Sequence, residues 1–100
     1  MPVPKTSVPI GVLTLHLQIN GSHSLKDKRQ VIRSLKDRLR RHHNVSVAEI
    51  DFQDTWQRAS IAVVTVSQEQ SRVEEILEQV ERDAARLLGG DLVSCDKEVL

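Results

Sequence analysis

A chain of 100 residues, 39% apolar and 28% charged, is one domain's worth of sequence with room for one small core. No apolar run approaches the ~18 residues of a membrane-spanning helix. The lone Cys95 excludes an internal disulfide or a multi-cysteine zinc site. The formal net charge is zero, and that zero conceals an uneven distribution.

Residues 1–9 carry three prolines and no apolar signal core, so they read as an extended lead-in to a single domain over 10–100. Without a targeting segment, and with one thiol, the expected setting is cytoplasmic. From Ile10 to Ile19 the chain alternates: Leu13, Leu15, Leu17 and Ile19 against Val12, Thr14, His16 and Gln18. Period two with one apolar face predicts a half-buried strand, broken by Asn20-Gly21-Ser22. Ser24 with Asp27 makes a capping box for a helix that frays near His42-His43-Asn44. Its apolar stripe is Leu25, Val31, Ile32, Leu35 and Leu39. Strands are expected over Val45–Phe52 and Trp56–Val66, the second apolar on both faces and so open in register. Ser67 with Gln70 predicts a second capping box and a helix to about Leu88. Its stripe is Val73, Ile76, Leu77, Val80, Ala84 and Leu87, and Gly89-Gly90 ends it. Leu92–Val99 reads as a short edge strand.

The order β-α-β-β-α-β predicts an α+β, ferredoxin-like sandwich: a four-stranded antiparallel sheet with two helices on one face. Right-handed crossovers put the first and third strands in the middle. The other face would then show Val12, Thr14, Val45, Val47 and some of Ala62, Val64 and Val66. That is apolar enough to invite a homodimer.

Charge concentrates in the first helix. Between Lys26 and Arg41 there are eight basic and two acidic residues, a local balance of +6 that the rest of the chain cancels. The motif SLKD occurs twice there, ten residues apart, but ten residues turn a helix by roughly 80° from register, so the copies face different ways. Arg29, Arg33, Lys36 and Arg40, spaced four, three and four apart, form one line beside the apolar stripe. Lys26 lies near its top, and Arg41 extends the basic end with His42 and His43. A charged helix face is ordinarily a solvated face, but its signs are ordinarily mixed. Like charges at i and i+4 repel by a few tenths of a kcal/mol, so an all-positive line calls for an anionic partner. RNA phosphates suit it, and Lys26, Arg29, Arg33, Lys36, Arg40 and Arg41 are the candidate contacts. The second helix region, with Glu69, Glu74, Glu75, Glu78, Glu81 and Asp83, supplies the alternative: the acidic helix of a neighbouring copy. Base stacking on the sheet is disfavoured, because the first strand offers no aromatic residue.

The segment NVSVAEIDFQDTWQRA, Asn44–Ala59, holds a second cluster: Glu49, Asp51, Asp54, Trp56 and Arg58. Glu49 and Asp51 are expected on one strand face, with Asp54 in the turn beyond and Arg58 as counter-ion. Together with His16 these carboxylates frame a third reading, a metal or enzyme site. The plainer reading is a polar hairpin, with Trp56 and Phe52 closing the end of the core rather than forming a ligand platform. His16 lacks an evident partner for base catalysis. Cys95, alternating with Val93 and Val99, is expected as a small buried residue. No phosphate-binding glycine loop is present and no cofactor is indicated.

SLKDKR at Ser24–Arg29, with N-S-V-A-E from Asn44 and the D-x-W-Q-R-A turn, resembles the YlxP-like family of small bacterial proteins, a domain of unknown function. The resemblance spans about residues 10–99 and matches Lys26, Asp27, Lys28, Arg29, Glu49, Asp51, Asp54, Trp56, Gln57 and Arg58. It implies a ferredoxin-like fold and, because members are often encoded near translation factors and a ribosome-binding factor, a role around translation or ribosome maturation. It brings no catalytic residues.

Overall fold

The computed structural model describes residues 8–100. Most of the expected lead-in therefore lies outside the described residues. The elements are β1 (Ile10–Gln18), α1 (Leu25–His42), β2 (Ser46–Asp51), β3 (Arg58–Val66), α2 (Gln70–Leu88) and β4 (Leu92–Val99), with a 3-10 turn at Gly89–Asp91. The strands form one antiparallel sheet in the order β2-β3-β1-β4. This is the ferredoxin-like sandwich, with β1 and β3 central and both helices on one face.

The period-two pattern of β1 buries Leu13, Leu15, Leu17 and Ile19 under the helices. Pairing Leu13 with Val63 and Leu15 with Ile61 settles the register that the sequence left open. Ala59, Ile61, Val63 and Thr65 are buried beneath the helices, and Ala62, Val64 and Val66 face away. Val47 is buried with the core and Val45 packs against it. Val45 and Val47 therefore do not belong to the open face. Its apolar residues are Ile10, Val12, Ala48, Ala62, Val64 and Val66, with Ile10 paired to Val66.

Two β-bulges re-aim side chains. Glu49 pairs with Ile61 and Asp51 with Ser60, so Ile50 is the extra residue in β2. A bulge shifts the face of everything beyond it: Glu49 looks toward the helices and Asp51 toward the open face, not the shared face expected. In β4 the bulge falls at Val93, between the partners of His16 and Leu17. Val93 is thereby exposed rather than in step with Cys95.

Helix α1 starts as expected. The Asp27 N–H donates to Ser24 Oγ at 3.0 Å. The Asp27 carboxylate accepts from the His23 N–H, one residue before the cap, instead of closing the box on Ser24. The buried stripe of α1 is Lys28, Ile32, Leu35 and Leu39, while Leu25 and Val31 are only half-buried. Helix α2 departs from its expected opening. Glu69 is the N-cap and makes no side-chain cap bond, because the Ser67 box stands two residues too early. Its buried line runs through Val73, Leu77, Val80 and Ala84 to Leu88, leaving Leu87 exposed. Gly89 ends α2 at φ 56, a left-handed conformation that costs a glycine nothing. Gly11 has a packing role: a Cβ there would stand 2.5 Å from Val73 Cγ1 and 2.9 Å from Leu77 Cδ1, so its bare backbone lets α2 settle onto β1.

Candidate nucleic-acid interface

Eight basic side chains of α1 divide sharply by what they touch. Lys28 is 1% exposed, in helical step with Ile32, Leu35 and Leu39. Its Nζ donates to the carbonyls of Phe52 at 2.6 Å and Arg58 at 3.0 Å. Glu49 Oε2 lies 2.9 Å from the same ammonium. That contact is a charge pairing without hydrogen-bond geometry, so Glu49 Oε2 is buried with a counter-ion but no directional donor. Burying an ammonium is tolerable only with such a set of acceptors. Arg38 Nε donates to Asp83 Oδ1 of α2 at 2.8 Å, and His43 Nε2 is 3.1 Å from Asp83 Oδ2. Burial pushes the Asp83 carboxyl up, but the hydrogen bonds and charges of Arg38 and His43 outweigh it and hold its pKa below the ordinary 3.8.

Lys28 and Arg38 are thus structural. Among the described residues, none of the other six, Lys26, Arg29, Arg33, Lys36, Arg40 and Arg41, makes an ion pair. Four of them line one groove of about 260 Å³ between α1 and β2: Arg29, Arg33, Lys36 and Arg40, with Ile32, Asp37 and Glu49. Arg40 also donates to the Val47 carbonyl at 3.2 Å, which fixes that end of the groove to β2. The line drawn from helical spacing is therefore a real surface. Lys26 and Arg41 are exposed but do not line the groove.

The hairpin cluster does not assemble as expected. Glu49 belongs to Lys28, and Asp51 Oδ1 accepts from the Phe52 N–H at 2.8 Å. Phe52 sits at φ 64, which is unusual for a bulky residue. Arg58 stacks over the Phe52 ring at 4.1 Å and is not a counter-ion to the carboxylates. Trp56 is 53% exposed, so it does not close the core. Among the described residues no three His, Cys, Asp or Glu come together to hold a metal ion, and His16 stands on the opposite face from Glu49.

His16 has the partners its sequence neighbourhood lacked. Nδ1 lies 3.1 Å from Ser60 Oγ and Nε2 lies 2.8 Å from Asp96 Oδ2, across both neighbouring strands. A Ser–His–Asp row suggests acyl chemistry, but Ser60 is buried and the flanking β1 and β3 backbone is spent in the sheet ladder. The row orients an imidazole within the sheet surface. Cys95 is half-buried, and burial, then the Glu81 carboxylate, push its thiol pKa up, which suppresses the nucleophilic thiolate. Among the described residues no helix is long and apolar enough to cross a membrane.

Lys28 was hidden by its type, although its step with Ile32, Leu35 and Leu39 was visible. Asp96 and Ser60 gave no signal near His16, because strand pairing alone brings them together.

Comparison with known proteins agrees with this architecture. A designed protein, Foldit4, superposes with a TM-score of 0.60 at 12% identity, covering 94% of this chain and 97% of that one. A Bordetella bronchiseptica protein whose name places it among antibiotic biosynthesis monooxygenases gives 0.55 at 11%, covering 94% and 96%. At such identities the likeness is one of fold alone. In sequence, the chain is 38% identical over 71 residues to the uncharacterized protein YlxP of Bacillus subtilis (strain 168), covering 71% of this chain and 77% of that protein. The model of the family described as "Protein of unknown function (DUF503)" matches residues 10–97. With that match over nearly the whole described domain, the chain belongs to the DUF503 family, to which its serine-capped SLKDKR and D-x-W-Q-R-A motifs had pointed.

Proposed function

We propose that this protein is a non-enzymatic RNA-associated module that docks α1 on a phosphate backbone. The observation that carries the reading is the division of the α1 cations. Those needed to hold the fold together are paired within the chain, and the remaining line of Arg29, Arg33, Lys36 and Arg40 opens on one groove, where the other charges are Asp37 and the Lys28-bound Glu49 and none of the four cations is ion-paired among the described residues. Leaving four like charges unpaired in a row is mildly destabilising, and an anionic ligand reverses that cost. Guanidinium groups at helical pitch match phosphate oxygens in charge and fork geometry. Recognition of this kind follows backbone charge and shape more than base sequence. The genomic company of YlxP-like members supports placing the RNA in translation or ribosome maturation.

The test is RNA affinity against salt. Wild type should bind RNA with log K falling against log[salt] by about 0.7 for each single-strand phosphate neutralised. The Arg29→Glu, Arg33→Glu, Lys36→Glu triple variant, which spares the Arg40–Val47 bond, should lose binding and keep its fold by circular dichroism. Retention of wild-type affinity for ribosomal particles by this variant would end the reading.

Self-association is a second reading, favoured by the open-face pair Val12 and Val64 with exposed Val66 beside them. Docking of α1 on a neighbour's α2 has less support, because Asp83, Glu75 and Glu81 of α2 are already engaged by Arg38, Arg72 and Lys97. Light scattering that gives a monomer at both low and high salt would remove self-association.

A further inference from the structure

The turn between β2 and β3 presents the chain's one tryptophan to solvent, with Trp56 53% exposed. Its backbone is held on every side. Lys28 Nζ ties down the Phe52 and Arg58 carbonyls at the two ends of the turn. Gln57 Nε2 donates to the carbonyls of Asn20 at 3.3 Å and Ser22 at 3.1 Å, and the Ile19 N–H donates to the Gln57 carbonyl at 2.7 Å. The Thr55 N–H closes the turn on the Phe52 carbonyl at 3.0 Å. In a core with so few aromatics, a large ring is worth most when buried. Here a fixed backbone holds that ring out in water, which preorganises it for an external partner.

Position connects the ring to the groove. Lys28 contacts both Glu49, which lines the groove, and the two ends of the turn. The turn therefore stands at the head of the groove, beyond Arg29. The Arg58 guanidinium, 4.1 Å from the Phe52 ring centroid, adds a second cation–aromatic contact there. Asp51 and Asp54 are exposed on the same turn. They would repel phosphate, so the backbone of a ligand stays on α1 and only an uncharged part reaches the indole.

We propose that Trp56 is a base-stacking platform at the end of the α1 phosphate line, so that the ligand is an unpaired RNA strand and not a duplex. The inference rests on the phosphate reading of α1 and narrows it. Unpaired bases offer their ring faces to aromatic side chains, whereas duplex bases are stacked on one another. Charge along the groove positions the strand, and the indole holds one base whatever its identity.

Because Trp56 is the sole tryptophan, its emission reports the contact directly. A twelve-residue oligouridylate should quench it at low salt, and added salt should reverse the quenching. The Trp56→Ala variant should bind that oligonucleotide about 10-fold more weakly by anisotropy, with an unchanged salt slope. Trp56→Phe should recover most of the loss. An RNA duplex of equal length should leave the emission unaltered. Oligouridylate binding with neither quenching nor a Trp56→Ala effect would overturn the platform and leave the phosphate reading intact. Equal quenching by the duplex would overturn the strand preference. Failure of every RNA to bind would overturn both readings. Quenching that follows protein concentration without RNA would assign Trp56 to a protein contact instead.

Discussion

Helix α1 meets the sheet through a buried ammonium, whereas α2 meets it through a bare stretch of backbone. On the α1 side, Lys28 reaches the β2–β3 hairpin and is held by two carbonyls and Glu49. On the α2 side, Gly11 lets Val73 and Leu77 come within contact of β1. The outer surfaces differ as well. Four cations of α1 face a groove without an ion pair among the described residues, while three of the five acids of α2, Glu75, Glu81 and Asp83, are bridged within the chain. The contrast teaches that one helix of this sandwich is built to be secured from below by charge, freeing its flank for a ligand. The other is secured by close packing, and its charges serve the fold.

Breaking the α1 lock should have the largest effect. Lys28→Met leaves the buried Glu49 Oε2 without its counter-ion and two carbonyls without a donor, a loss of about 3 kcal/mol in urea unfolding. Adding Glu49→Gln should recover part of it, since the stranded charge is then gone. An unchanged midpoint for Lys28→Met would mean that the ammonium is not the lock. Next is the α2 lock. Gly11→Ala forces Val73 or α2 to move and should cost about 1–3 kcal/mol, read as a lowered melting temperature.

The bridge between the helices comes third. Asp83→Asn should cost about 1 kcal/mol at neutral pH, as charge-assisted bonds to Arg38 and His43 weaken. The pH dependence sharpens it. The folded pKa of Asp83 is depressed, so its contribution is present above the ordinary carboxylate value of 3.8 and is lost as pH falls below it toward the folded value. The acid limb of the stability curve should be shallower in Asp83→Asn than in wild type. Smallest of all, Arg33→Gln should leave stability within about 0.5 kcal/mol or raise it slightly by removing a like-charge neighbour. A large loss there would show that the groove cations hold the fold, contrary to the comparison.

Much of this was legible in the sequence because it is periodic. Alternation in β1, the apolar lines of both helices and the glycines after Leu88 prescribe the sandwich locally. The basic line is equally local, four residues on one helical face, and the groove preserves it. What stayed hidden depends on contacts made by chain closure. Lys28 meets Phe52 and Arg58 only once the hairpin folds back. The bulge at Ile50 parts Glu49 from Asp51, and nothing in Glu-Ile-Asp announces it. Trp56 looked like a core residue because hydrophobic rings usually are. Its exposure follows from a turn anchored by hydrogen bonds to neighbouring backbone, which leave the indole outside.

Burial of Lys28 also makes the chain its own folding gauge. An acylating reagent should modify the exposed Lys26 at once, yet reach the Lys28 amine, 1% exposed, only when α1 lifts from the hairpin. The two lysines differ by two positions and share one tryptic neighbourhood, so their ratio of acylation in a single mass spectrum measures how often that helix opens. Acylation found at Lys28 in a cell would mark a molecule that had come apart, since the native surface does not offer that amine.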